Sequence, residues 1–128
     1  MARQSKTGTA AAKGTSDAQP SGHASEPTAN QVAAAVMVFA LLADPTRVQM
    51  LWALRTDELD VASLAAVAGC RPTVASQHLS KLRFAGLVEG HRHGQRVVYR
   101  LKGGHVRALL NEALFHADHQ LTGSPTHD

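Results

Sequence analysis

The sequence predicts a mainly helical α+β domain with one small β-hairpin, and three observations predict it. Apolar residues recur at three- and four-residue spacing in successive stretches between residues 30 and 121. Two further runs, 87–89 and 96–101, lie on either side of Gly94, and the second of them alternates instead. At 128 residues the chain can build one hydrophobic core and not two.

Residues 1–29 stand apart from that pattern. They contain no Val, Leu or aromatic residue, and 20 of the 29 are Ala, Ser, Thr, Gly or Pro, so little there can offset the entropy of ordering. A disordered tail is expected over 1–29, a folded domain over 30–121 and a flexible tail over 122–128.

The first helix starts at Asn30 as its expected cap and carries Val32, Val36, Phe39, Ala40 and Ala43 near a 3.6-residue period. Asp44-Pro45 reads as an N-cap followed by proline at the first helical position, where a missing N–H costs nothing. Val48, Leu51, Trp52 and Leu54 or Arg55 give this second helix its inward face, and it ends near Arg55. Leu59 to Val61 can form a short strand. A third helix spans Ser63 to Ala68 and stops at Gly69. Pro72 opens the fourth, with Ala75, His78 or Leu79, Leu82 and Ala85 inward, and Gly86 stops it. The runs 87–89 and 96–101 then flank a loop, His91-Arg92-His93-Gly94-Gln95. Val106, Leu109, Leu110, Ala113 and Ala117 define a last helix of about 17 residues ending before Gly123.

Charge and composition narrow the function classes. The longest apolar stretch, around Val32 to Leu42, is shorter than the roughly 18 residues of a membrane span, so no membrane association is expected. A lone cysteine and the lack of a signal-peptide core point to the cytoplasm. Thirteen Lys+Arg against ten Asp+Glu is nearly balanced, but the distribution is not. Residues 71–107 hold eight Lys/Arg and one acid, while 30–70 hold two against four. That basic third coincides with two helices joined by a tight turn and the hairpin after them, a helix-turn-helix with a wing.

Double-stranded DNA is the partner such an arrangement fits. Arg71, Lys81, Arg83, Arg92, Arg96, Arg100 and Lys102 are candidates for phosphate contacts. On the fourth helix Thr73, Ser76, Gln77, Ser80 and Lys81 face outward. Thr73 and Ser76 lie near the helix N-terminus, which suits a phosphate, and the Gln77 amide can pair with adenine N6 and N7. His78 faces inward by its period, as a hydrogen-bonded structural histidine.

Three blocks together resemble the ArsR/SmtB family of winged-helix repressors. They are Leu42-Ala43-Asp44-Pro45-Thr46-Arg47-Val48, Ser76-Gln77-His78-Leu79-Ser80-Lys81-Leu82, and Ala85-Gly86-Leu87-Val88 leading to Val98-Tyr99-Arg100-Leu101. Ala75 stands where that family usually has valine. The resemblance implies a homodimer built on the first and last helices, which binds a palindromic operator and represses until an effector arrives.

The effector is read from the side chains available. The family's thiolate sensors carry Cys-Val-Cys at the start of the third helix, where this chain has Leu59-Asp60-Val61-Ala62-Ser63, so soft-metal and arsenite sensing are disfavoured. In the last helix His105 and His116 lie eleven residues apart on one face, with Glu112 and His119 on the same stripe. The resemblance to the helix-five zinc, nickel and cobalt sensors implies paired intersubunit sites, although Gly103 stands at that pattern's acid position. The similarity is greater to the KmtR-like nickel/cobalt repressors, whose pattern falls here on His105, Asp118-His119 and His127. The expected metal ligands are therefore His105, His116, Asp118, His119 and His127, holding Ni(II) or Co(II), with Zn(II) as the alternative. A non-metal effector is the second reading. A metalloenzyme using His105, His116 and Glu112 is a remote third, because a helical seam offers no open coordination position beside a general base.

Overall fold

The computed structural model describes residues 25–123. Most of the expected N-terminal tail, and residues 124–128 with His127, lie outside the described residues. The elements run α1 (Ala29–Leu42), α2 (Pro45–Ala53), β1 (Leu59–Asp60), α3 (Val61–Ala68), α4 (Pro72–Phe84), β2 (Val88–His93), β3 (Arg96–Leu101) and α5 (His105–Thr122). The chain divides within α1 into Met1–Ala35 and Val36–Asp128, and every later element belongs to the second unit.

Local chemistry sets the helix starts. Thr28, not Asn30, caps α1: its Oγ1 accepts the Gln31 N–H at 3.0 Å, and the Gln31 Oε1 accepts the Thr28 N–H at 2.9 Å. This reciprocal pair satisfies two otherwise orphaned donors, which Asn30 inside the first turn cannot do. The Asp44 side chain accepts from the Arg47 N–H and Pro45 follows, as the sequence implies. α3 starts two residues earlier than the expected Ser63 because Asp60 caps it, accepting the Ser63 N–H at 2.9 Å. Gly69 closes α3 with φ +68°, a left-handed conformation that glycine adopts without Cβ strain. α1 takes in Ala29 and α5 takes in Thr122, one residue beyond each expected domain boundary.

The core is a single cluster. Met50, Leu51 and Leu54 from the α2 region meet Leu64 and Ala65 of α3, Ala75, Leu79 and Leu82 of α4, Val88 and Leu101 of the sheet, and Val106 and Leu110 of α5. Cys70 is half-buried against this cluster. Trp52 departs from the expected inward face. It is 37% exposed, with the Arg55 guanidinium 3.6 Å above its ring, so the indole is covered by a cation instead of the core. Ala113, also expected inward, is exposed. Only the N-terminal half of α5 is held by this core.

The sheet has three antiparallel strands in the order β1-β3-β2. The wing strands run further than expected. His91, Arg92 and His93 pair with Val98, Val97 and Arg96, which leaves a two-residue turn at Gly94-Gln95 with Gly94 at φ +66°. No single helix among the described residues is long and apolar enough to cross a membrane.

Candidate functional site

Burial on α4 separates its two faces. Ala75, Leu79 and Leu82 are buried, whereas Thr73, Ser76, Gln77, Ser80 and Lys81 are all exposed. Arg71 is the exposed N-cap residue and makes no side-chain cap. The first-turn N–H groups are thus left without a protein cap beside two hydroxyls and a guanidinium, a combination that binds anions.

Pairing in the wing sorts its cations. Side chains alternate across a strand, so the register puts Glu89, His91, His93, Arg96 and Arg100 on one face, together with Asp60 of β1. Arg96 Nε donates to Asp60 Oδ2 at 3.2 Å. Arg100 donates to Glu89 Oε2 at 2.9 Å and to Glu58 Oε2 at 3.3 Å. The Arg100 bond holds the Glu89 carboxyl below its ordinary range, and Glu89 raises Arg100 in return. The Ser63 N–H, then Arg96, lower Asp60 in the same way. Arg100 is therefore committed to the sheet, and Arg96 is partly so. Arg92 lies on the opposite face, paired with Val97. Among the described residues Arg71, Lys81, Arg83, Arg92 and Lys102 form no ion pair.

Arg47 is the residue that sequence reasoning missed. Its Nε donates to the Leu41 carbonyl at 2.6 Å, and its guanidinium lies 3.1 Å from His78 Nδ1. A guanidinium only donates, so Nδ1 accepts and the imidazole proton sits on Nε2. One side chain thus ties the end of α1 and the start of α2 to the middle of α4. The Asp44-x-x-Arg47 spacing was a visible signal for the local contact, but nothing in the periodicity announces a partner 31 residues away.

The last-helix residues are spread out. His105 is the first residue of α5, and His105, His116 and Asp118 are exposed. The Asp118 carbonyl accepts from Thr122 Oγ1 at 2.9 Å. His119 is half-buried, its ring 4.6 Å from that of Phe115. Eleven residues of helix separate His105 from His116 by about 16 Å. Among the described residues no three His, Cys, Asp or Glu of one chain gather where they could hold a metal ion.

A helix-turn-helix with a flanking wing, a polar α4 face and free cations defines a transcriptional regulator rather than an enzyme, and similarity to known proteins places it within that class. The family model described as "Bacterial regulatory protein, arsR family" matches residues 44–90. The HTH-type transcriptional regulator KmtR of Mycobacterium tuberculosis is 47% identical over 98 residues, covering 77% of this chain and 75% of that one. The regulator NmtR of the same organism is 41% identical over 96 residues, covering 74% and 80%. A solved homodimeric winged helix-turn-helix DNA-binding domain from Mycobacterium bovis, Mb0332, superposes with a TM-score of 0.71 at 31% identity, covering 83% of this chain and all of that one. The chain belongs to the ArsR family of DNA-binding transcriptional regulators.

Proposed function

We propose that this chain is a cytoplasmic repressor whose domain, residues 30–121 between the two tails, binds operator DNA as a homodimer and is released by a transition metal, Ni(II) or Co(II), with Zn(II) as the alternative ion. The observation that carries the DNA reading is the exposed polar stripe of α4 beside cations that form no ion pair among the described residues. Gln77 reads adenine in the major groove. Thr73, Ser76 and Ser80 bond backbone or base edges. Arg71, Lys81, Arg92 and, more weakly, Arg96 neutralise phosphates.

Exposed apolar surface supports the dimer. Val36, Met37 and Phe39 on α1 and Phe115 and Leu121 on α5 are between 52% and 87% exposed. A groove of about 580 Å³ lined by Trp52, Asn111, Glu112, Leu114 and Phe115 adjoins the α5 residues. Burying such surface between two copies of the chain provides the driving force for association. The homodimeric M. bovis domain supports the same assembly.

The donor chemistry fits a borderline divalent ion: imidazoles and a carboxylate, without sulfur. His105, His116, Asp118, His119 and His127 would hold it. His105 lies at one end of α5 and His116, Asp118 and His119 towards the other, so an ion shared among them would draw donors from two chains. When bound, the ion supplies a cross-link between protomers. If that link favours a spacing of the two α4 helices that no longer matches successive major grooves, metal and DNA weaken each other by one factor. A coupling of about 1 to 3 kcal/mol, roughly 5- to 150-fold in affinity, is typical of such linkage.

The test is fluorescence anisotropy on DNA from upstream of the protein's own gene, at fixed salt, without metal and then with Ni(II), Co(II) or Zn(II). Release by nickel or cobalt at lower free concentration than zinc is expected, with His105→Ala and His119→Ala keeping DNA binding and losing the metal response. Binding unmoved by all three ions would refute the metal effector. Failure to bind any DNA in a salt-dependent way would refute the repressor.

A further inference from the structure

We propose that Phe84 is a sequence-reading residue of the DNA interface, packing its ring against thymine C5-methyl groups in the major groove. The inference rests on the reading that α4 enters that groove, and it deepens that reading.

Phe84 is the last residue of α4 and is 95% exposed, the highest value among the exposed large apolar residues. At 100° per residue it lies seven positions, almost two full turns, beyond Gln77 and eleven beyond Thr73. The three share one stripe, directly opposite buried Ala75, Leu79 and Leu82. About 10 Å of helix separates Phe84 from Gln77, roughly three base-pair rises, so the two side chains address different base pairs.

An isolated exposed apolar side chain is ordinary, and position is what distinguishes this one. Val36, Met37, Phe39, Phe115 and Leu121 lie on α1 and α5, where the proposed dimer covers them. Phe84 lies on neither helix, and the other exposed large apolar residues off them, Trp52, Val67 and Val74, are no more than 52% exposed. Its neighbours are Lys81 and Arg83 in the same last turn, which make no ion pair among the described residues. An apolar ring flanked by two free cations matches a polyanion that carries apolar groups at defined positions. In duplex DNA the major groove offers one such group, the thymine methyl.

The experiment uses the full chain and the tightest duplex that it selects from a randomised pool. Each symmetric pair of thymines is replaced in turn by deoxyuridine, which deletes only the methyl, and affinity is read by anisotropy. Wild type should lose about fourfold per methyl at one position, about 15-fold for the symmetric pair, the effect of exposing one methyl-sized group on each side. Phe84→Ala should bind the thymine duplex more weakly by about the same factor and be indifferent to uridine there, while keeping its response elsewhere. Phe84→Leu should retain part of the discrimination. Because the residue is on the surface, an unchanged urea midpoint will show that both variants fold.

Equal sensitivity of Phe84→Ala and wild type at every thymine would overturn the proposal. So would a loss that is the same on selected and random DNA, the mark of a backbone contact. Gln77→Ala separates this from the broader reading. If that variant keeps full sequence preference, the placement of α4 in the groove fails; if it loses preference while Phe84→Ala responds like wild type, only the Phe84 role fails.

Discussion

Replacing Arg47 with alanine removes two hydrogen bonds from a side chain that is only 13% exposed. The bond to the Leu41 carbonyl is 2.6 Å long and that to His78 Nδ1 is 3.1 Å. Hydrogen bonds involving a charged group contribute about 1.5 to 3 kcal/mol each when shielded from water. Both acceptors are partly buried and water reaches them once the side chain is gone, so the lower end applies and the total is about 3 kcal/mol. A domain of this size, with about 5 to 15 kcal/mol of stability, should remain folded in native buffer. With a urea m-value near 2 kcal/mol/M, the midpoint should fall by about 1.5 M. His78→Ala removes only the second bond and should cost about 1.5 kcal/mol, and the double variant should show a coupling of similar size. Arg47→Lys keeps the charge, but a single ammonium cannot reproduce the fork, so less than half the loss should be recovered. The assay is equilibrium urea unfolding followed by circular dichroism on the four proteins of the cycle. A midpoint shift below about 0.3 M for Arg47→Ala, with no coupling to His78, would refute the claim that this side chain anchors α4.

Three further outcomes follow from the same geometry. Arg92→Ala should weaken selected and random DNA alike and lower the salt slope by about one for each phosphate that is no longer neutralised; Arg96→Ala should do so less, because Asp60 already engages that guanidinium, and an equal effect of the two would contradict the division of the wing. Gly90→Ala would bring a Cβ to 3.2 Å from both Tyr99 Cε2 and Val97 Cγ1, so thermal unfolding should show a loss of about 1 kcal/mol as the ring is displaced. Asp44, Asp60 and Glu89 all have carboxyls lowered in the fold by hydrogen bonds, from the Arg47 N–H, the Ser63 N–H and Arg100 respectively. A lowered carboxyl contributes stability that is present above its unfolded value and lost as pH falls through its folded one. Unfolding midpoints should therefore be flat in these contributions from neutral pH to about 5 and decline below about 4, with a shallower decline in Asp60→Asn.

The elements that were legible in the sequence are those whose signals are local. Asp44-Pro45, Gly69 and Pro72 each act within one turn, so their helix ends needed no tertiary knowledge. The α4 stripe was legible because burial of Ala75, Leu79 and Leu82 follows from period alone. The misreadings involve competition between partners. Asn30 is a good cap by type, but Thr28 with Gln31 satisfies two donors where Asn30 would satisfy one. Trp52 fits the inward period of α2, yet Arg55 covers it at the surface. His91 to His93 looked like loop because a histidine- and glycine-rich run carries no alternation, while backbone pairing with Arg96, Val97 and Val98 extends the strand regardless of side-chain type. The α5 histidines have a period, but among the described residues they gather with no third donor of their own chain that could complete a metal site. The sequence could place them on a face and could not show what that face meets.

Counting cations along the chain overstates what the wing offers DNA, and the structure shows why. The sheet face that carries Arg96 and Arg100 also carries Asp60 and Glu89, with Glu58 within reach. Those acids come from β1, the segment just before it and β2, so the pairs tie the three strands together along one face. An arginine held between two carboxylates has little charge to give a phosphate without first breaking its own bonds. Arg92, paired with Val97 near the turn and on the other face, carries no such obligation. The hairpin thus divides by face, one side carrying arginines already held by carboxylates and the other carrying Arg92, which forms no ion pair among the described residues. These cross-strand bonds steady the sheet that presents Arg92, and its β2 strand begins at Val88, four residues after Phe84, so the Arg92 charge is held at a set place relative to α4. The same acids that reduce the number of available cations therefore help to place the remaining one, and its charge is presented in register with the exposed polar stripe of α4.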